Sequence, residues 1–340
     1  MRLLKIMYLV VGTVLLGFVA IQTDLTQVLA MAVQIGFWGF LGILLLYLAA
    51  FAIDAFTFHM ALVETPLTTN WFWRIFNIRL VGEMFNAILP AGGMGGEPVK
   101  AFILKRRYGI GLKAGTASLV LGKTVNMIAL VLFLAIGFAF MLDSDKLPVF
   151  YKLIGGMGLG VFALSILAFF IIQRGRLTSR FSARIAKHPV GLRIAHRIDQ
   201  ILEFDDMLVR FYTQHKTRFV SAIALAFVNW LLGILEVWGI SWLLGHPVSL
   251  IDAWIIEAAI QLVRTAIFIM PASLGVQEGT FLLFYAAITG SAELGLAVAL
   301  VRRGRELIWL AWGGLVGLAY LWWPRPHTTQ VSAIPEPDVE

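Results

Sequence analysis

Apolar runs of bilayer-spanning length constrain this chain before any motif is considered. A transmembrane helix needs about 20 predominantly apolar residues, and the stretches 3–21, 37–52, 154–172 and 219–244 meet or approach that length. The run 128–141 reaches it only if its helix begins near Ala114 and accepts Lys123 and Asn126. With 59% hydrophobic residues, 14% charged residues and a mean hydropathy of +0.85, the composition lies outside the soluble range. The expected fold is an all-α polytopic membrane protein.

The run 3–21 follows Arg2 and Lys5 and contains no small-x-small cleavage site, so it reads as a retained first helix. There is no cysteine, which excludes thiol catalysis, thiolate metal sites and disulfides. No metal site and no cofactor are expected.

The net charge of +7 is concentrated in two polar segments. Ten Lys and Arg residues fall in 173–218, and Lys105, Arg106, Arg107 and Lys113 form the second group. The positive-inside rule makes both segments cytoplasmic. The basic residues border membrane spans and carry no recognition motif, so no nucleic-acid partner is expected. Within the larger segment, 190–214 repeats Ile and Leu at helical spacing and reads as an amphipathic helix on the membrane surface. The closing residues 324–340 are polar and proline-rich and are expected to be disordered. One integral membrane domain, 1–323, is expected, with both termini cytoplasmic.

Breakers interrupt this pattern at two places. The first is LPAGGMGGEPVKAF, residues 89–102; the second is MPASLGVQEGTF, residues 270–281. Aligned on Pro90 and Pro271, each leads to a glutamate seven residues on, Glu97 and Glu278, and each follows a charge seven residues before, Glu83 and Arg264. About 33 residues beyond each proline a polar set interrupts an apolar run: Lys123 with Asn126, and Arg303 with Glu306. Gly95 lies five residues after its proline and Gly275 four, so the glycines are out of step. If 71–104 crossed fully, the basic group at 105–107 would land outside; if the chain turns back at Pro90, it stays inside, as the charge rule prefers. The expected architecture is therefore about six full transmembrane helices plus two re-entrant helical hairpins. They form an inverted repeat, with units at about 33–140 and 219–323 joined by 173–218, and breakers at matching positions mark a substrate site.

An ionised residue at the bilayer centre costs about 2.5–3.5 kcal/mol on insertion scales, so these groups must pair or line a wet cavity. The candidate substrate-binding residues are Glu83, Asn86, Pro90, Gly92, Gly93, Gly95, Gly96, Glu97, Lys100, Lys123 and Asn126 in the first unit. In the second they are Gln261, Arg264, Pro271, Gly275, Glu278, Arg303 and Glu306. A two-fold axis would pair Glu83 with Arg264. Glu97 has two open readings, a carboxylate favoured by a helix N-terminus or a group that handles substrate. The glycines leave amides free, an arrangement that binds phosphate. Asp54 and His59 read as interfacial.

Leu89-Pro90, the glycines, Gly96-Glu97-Pro98-Val99-Lys100 and a cationic span position at Lys123 resemble the transmembrane region of the lysylphosphatidylglycerol synthase family, also called UPF0104. Pro271, Gly275 and Glu278 match its second half, and the resemblance covers about 5–323. The chain departs from the family at Gly122-Lys123, where an arginine beside an acidic residue is common, and at Asn126, where an aspartate is. The resemblance implies a bacterial inner-membrane protein that flips lipids, some relatives being associated with hopanoid or glycolipid pathways. The synthase's soluble aminoacyl transferase domain is not expected, because only a short tail follows here.

Three functions compete. A flippase would bind an anionic headgroup between the hairpins, with Lys100 and Arg264 neutralising it and Glu97 or Glu278 gating or coupling to protons. An intramembrane phosphatase or transferase would use Glu257, Gln261 and Arg264, although no H-E-x-x-H or nucleophilic serine motif is present. A non-transporting accessory subunit would partner lipid or glycolipid biosynthesis proteins through 190–214.

Overall fold

The computed structural model describes residues 33–88, 95–174, 209–266 and 275–322. The described residues contain no strand; their elements are α1 (Gly36–Ala61), α2 (Thr69–Ile88), α3 (Glu97–Tyr108), α4 (Leu112–Asp143), α5 (Val149–Arg174), α6 (Lys216–Leu243), α7 (Leu250–Ala266), α8 (Val276–Thr289) and α9 (Ala292–Trp322). The expected first span at 3–21, most of the amphipathic segment 190–214 and the tail 324–340 lie outside the described residues.

Hydropathy and length make α1, α4, Val149–Ala168 of α5, and α6 long and apolar enough to cross a membrane. The short apolar run at 128–141 does extend backwards: α4 begins at Leu112 and carries Lys123 and Asn126 within it. In α9 the charges Arg302, Arg303, Arg305 and Glu306 sit near the middle of a 31-residue helix, which at 1.5 Å per residue is about 46 Å long.

Sequence punctuation sets both ends of α3. Past the breakers α3 opens with Glu97 and Pro98, a position where the missing proline N–H costs nothing. It closes at Gly109, whose φ of 73° is left-handed, while Ile110 N–H returns to Leu104 O at 3.2 Å in a Schellman turn. Lys105, Arg106 and Arg107 occupy the last turn, where cations complement the helix dipole.

Between α2 and α3 the chain reverses. Trp71 near the start of α2 faces Tyr108 at the end of α3, ring centroids 5.6 Å apart, and Gly82 faces Gly96. A Cβ on Gly96 would fall on the Gly82 carbonyl, and one on Gly82 would meet the Lys100 stem, so the two helices run antiparallel with backbones in contact. At its base the pair is fastened to α9: Arg107 lies 4.4 Å over the Tyr320 ring and donates from Nη1 to Tyr320 O at 3.4 Å.

α1 and α6 are also antiparallel neighbours. Gly39 lies against Leu243 at one end, and Met60 and Ala61 share a buried cluster with Ala222 and Ala226 at the other. The halves then exchange helices, since α2 packs on α9 and α7 packs on α4. Glycine permits both approaches, Gly313 against the Leu80 backbone and Gly137 against Ala258, as small residues do where helices pack in lipid. Trp254 Nε1 of α7 donates to Phe133 O of α4 at 3.1 Å, stitching the second contact.

α5 is peripheral. It touches α4 and α7, and Leu153, Ile154, Met157, Val161, Leu164 and Leu167 are exposed along it, the apolar surface that a bilayer covers.

Helix contact at Gly96 leaves no room for a methyl group, whereas the Cβ position of Gly239 on α6 is open. Gly96→Ala should destabilise the protein by about 1–3 kcal/mol through overpacking. Gly239→Ala should stabilise it by about 0.5–1 kcal/mol through helix propensity. Thermal unfolding of the two detergent-purified variants checks the contrast.

Candidate functional site

In the second half, one turn of α9 supplies the cations and three other helices supply the anions. Arg302 donates from Nη1 to Glu257 Oε2 of α7 at 2.6 Å and from Nη2 to Glu257 Oε1 at 3.3 Å, and the same Nη2 reaches Glu236 Oε2 of α6 at 3.1 Å. Arg305, three residues on and so on the same helix face, donates to Glu236 Oε1 at 2.5 Å and lies 3.6 Å over the Tyr47 ring of α1. Gln261 donates to Glu257 Oε1 at 2.7 Å. Arg302, Arg305, Glu236 and Glu257 are all buried, so each charge depends on the others.

Arg303 points to a different partner. Its Nε and Nη2 donate to Glu278 Oε1 of α8 at 3.0 and 2.5 Å, and its Nη1 donates to Glu306 Oε2 at 2.7 Å. Glu278 also accepts Gly275 N–H at its other oxygen, 2.8 Å away, so it caps α8 and binds an arginine at once. Arg264 on α7 lies within electrostatic range of Glu306.

The first half is built more loosely. Asp54 of α1 pairs with Arg79 of α2. Asn86 donates to Glu83 Oε2 at 3.3 Å and accepts Gly96 N–H at 2.7 Å, tying the end of α2 to the start of α3. Glu97 makes no capping hydrogen bond; its Oε1 takes Lys100 Nζ at 2.7 Å and lies 3.8 Å from Lys123 Nζ of α4. Its Oε2 is buried without a hydrogen-bond partner among the described residues. The Lys123 side chain is 43% exposed, against 13% for Arg303.

Of the candidates read from sequence, Glu83, Asn86, Gly96, Glu97, Lys100 and Lys123 form one group, with Gly95 beside it in the chain. Asn126 lies on α4, one turn beyond Lys123. Gln261 joins the Glu257 group, and Gly275, Glu278, Arg303 and Glu306 form another. Pro90, Gly92, Gly93 and Pro271 lie outside the described residues.

One expectation is corrected. Glu83 and Arg264 do not pair: Glu83 is hydrogen-bonded to Asn86, while Arg264 acts on Glu306. The packing explains this, because α2 sits chiefly on α9 and α7 sits on α8, α4 and α6, rather than on each other. Asp54 bonds across to α2, and His59 is fully buried with Nε2 3.1 Å from Pro66 O.

Arg302 and Arg305 escaped the sequence reading, which aligned the halves on their prolines and so selected Arg303 and Glu306. The available signal was the density of VRRGRE, four charges in five residues of an apolar helix, with 302 and 305 at i,i+3 spacing. The charges of these groups balance. Asp54, Glu83 and Glu97 offset Arg79, Lys100 and Lys123, and Glu236, Glu257, Glu278 and Glu306 offset Arg264, Arg302, Arg303 and Arg305.

Removing one member of a buried pair strands the other, at a cost of about 3–5 kcal/mol. Arg302→Gln should therefore destabilise strongly by orphaning Glu257. Adding Glu257→Gln should recover part of the loss, a coupling that a double-mutant thermal-unfolding cycle measures.

Comparison with known proteins shows the family of the chain. The profile of the lysylphosphatidylglycerol synthase transmembrane region matches residues 5–325. A UPF0104 membrane protein from Methanothermobacter thermautotrophicus is 23% identical over 245 residues, which cover 67% of this chain and 70% of the relative. No solved structure matches the chain. With its apolar, lipid-length helices and a match running from one end of the bundle to the other, this chain is a multi-pass membrane protein that belongs to the lysylphosphatidylglycerol synthase transmembrane-region family.

Proposed function

We propose that this protein is a lipid translocase of the bacterial inner membrane, moving an anionic lipid or lipid-linked intermediate whose headgroup passes between two re-entrant hairpins, α2/α3 and α7/α8. The observation that carries the reading is a pair of matching latches. A carboxylate in the first turn after each breaker meets a cation on the following long helix, Glu97 with Lys123 and Glu278 with Arg303.

The surrounding packing supports it. α1 and α6 are antiparallel, and the first helix of each hairpin packs on the other half's last helix while the second packs on its own, a relation that a two-fold axis in the membrane plane would generate. Transporters built from such inverted repeats bind substrate where broken helices meet near the midplane. Irregular backbone is tolerated at that depth only where protein or a wet cavity satisfies it, and the paired charges provide that polar lining. The acyl tails stay in lipid while the headgroup crosses. Both termini face the cytoplasm in this arrangement.

Two measurements test the proposal. Proteoliposomes carrying head-labelled fluorescent phosphatidylglycerol should lose outer-leaflet signal to a membrane-impermeant quencher faster than empty vesicles, and Arg303→Gln should slow exchange at least about tenfold, since the latch to Glu278 is lost. Equal rates with and without protein reject the translocase. Cysteines placed at Arg107 and Gly290 should label from opposite sides of the membrane; labelling from one side rejects the inverted hairpins.

A further inference from the structure

The two latches share a plan but differ in how completely their carboxylates are used. Glu278 has both oxygens engaged, Oε1 by two N–H groups of Arg303 and Oε2 by Gly275 N–H. A proton on Glu278 would disrupt a helix cap or an arginine pair. Glu97 uses only Oε1, held by Lys100 at 2.7 Å, while its Oε2 is buried with no hydrogen-bond partner among the described residues. A proton can add at Oε2 without breaking any hydrogen bond described there.

The cations differ in the same sense. Lys123 Nζ stands 3.8 Å from Glu97 Oε1, beyond hydrogen-bond reach, on a side chain 43% exposed. It can turn to another anion without giving up a hydrogen bond to Glu97. Lys100 cannot turn so freely, because its side chain is 4% exposed and its stem fills the space over Gly82.

Charge accounting then limits what can happen when an anion arrives. Glu97 is faced by Lys100 from its own helix and by Lys123 from α4, and it shares with Glu83 of α2 and Tyr47 of α1 the electrostatic surroundings of Arg79, which Asp54 of α1 already pairs. Asp54, Glu83 and Glu97 balance Arg79, Lys100 and Lys123. One phosphate monoanion added to this set leaves one negative charge uncompensated in a poorly solvated site, an unfavourable state. One proton restores the balance.

We infer that Glu97 is a resident counter-ion that a substrate's phosphate displaces from Lys123, and that it takes up one proton at Oε2 as this happens, so that headgroup binding and proton uptake are coupled one to one. Lys123 transfers its ion pair from Glu97 Oε1 to a phosphate oxygen. Lys100 keeps its hydrogen bond to Oε1 of the now neutral carboxyl group. When the phosphate leaves, Glu97 returns the proton to water and recovers Lys123. The inference rests on the translocase reading and adds its coupling ion and the group that carries it.

The test uses the full-length protein in nanodiscs of phosphatidylcholine, titrated with short-chain phosphatidylglycerol, whose phosphodiester keeps one negative charge across neutral pH. In weakly buffered solution with a pH indicator, the wild type should take up about one proton per lipid bound, and its affinity should rise about tenfold per unit fall in pH where that uptake occurs. Glu97→Gln should bind the same lipid without proton uptake and with an affinity that does not change with pH. Lys123→Gln should weaken binding at least about tenfold, the loss of one charge-assisted phosphate contact. Lipid binding by the wild type without proton uptake, or undiminished uptake in Glu97→Gln, overturns the coupling and leaves the translocase standing. No binding by any form, together with no exchange in proteoliposomes, removes the reading beneath it. The wild-type proton count and pH slope need no variant, so they decide the question even where Glu97→Gln fails to fold.

Discussion

A guanidinium within an apolar bundle must find an anion, and Arg302 finds two. Its bonds to Glu257 and Glu236 hold α9 to α7 and α6 in one step, and Arg305 extends the link to α1 through the Tyr47 ring. Hydrophobic burial gives little direction to helices already in hydrocarbon, because lipid tails are as apolar as leucine. Charged contacts have fixed partners and fixed geometry, so they select which helix faces meet. In this bundle the ion pairs specify the arrangement, and the apolar clusters around Phe281, Phe133 and Ile256 fill the space that arrangement leaves.

The two halves spend the same residue types differently. On the α7/α8 side, Arg302 and Arg303 each engage carboxylates through two or more bonds, and the network is nearly sealed from solvent. On the α2/α3 side, lysines make single contacts, and one of them is almost half exposed. Arginine presents a planar fork and lysine a point charge on a flexible stem, so the first half is built for exchange of partners and the second for permanence. This difference is written in the sequence at positions 123 and 303, although its meaning depends on distances that only coordinates supply.

Much of the fold was legible because the bilayer imposes lengths. The expectation that 128–141 must begin near Ala114 to span, at the cost of including Lys123, matches α4. What sequence could not supply was which helices pair. Hydropathy carries no information about partners, so the exchange that seats α2 on α9 and α7 on α4 was invisible, and with it the reason Glu83 and Arg264 stay apart. The arginines at 302 and 305 were missed for a related reason, since aligning prolines selects a single register and overlooks a neighbouring face of the same helix turn.

The clamp between Arg107 and Tyr320 joins the foot of α3 to the far end of the other half's last helix. Glu97 occupies the opposite end of that helix, where the Gly82–Gly96 backbone contact and the Asn86–Gly96 hydrogen bond brace it again. A helix braced at both ends keeps its first-turn carboxylate in place, so any change of partner there falls to the long, half-exposed lysine that reaches it from α4.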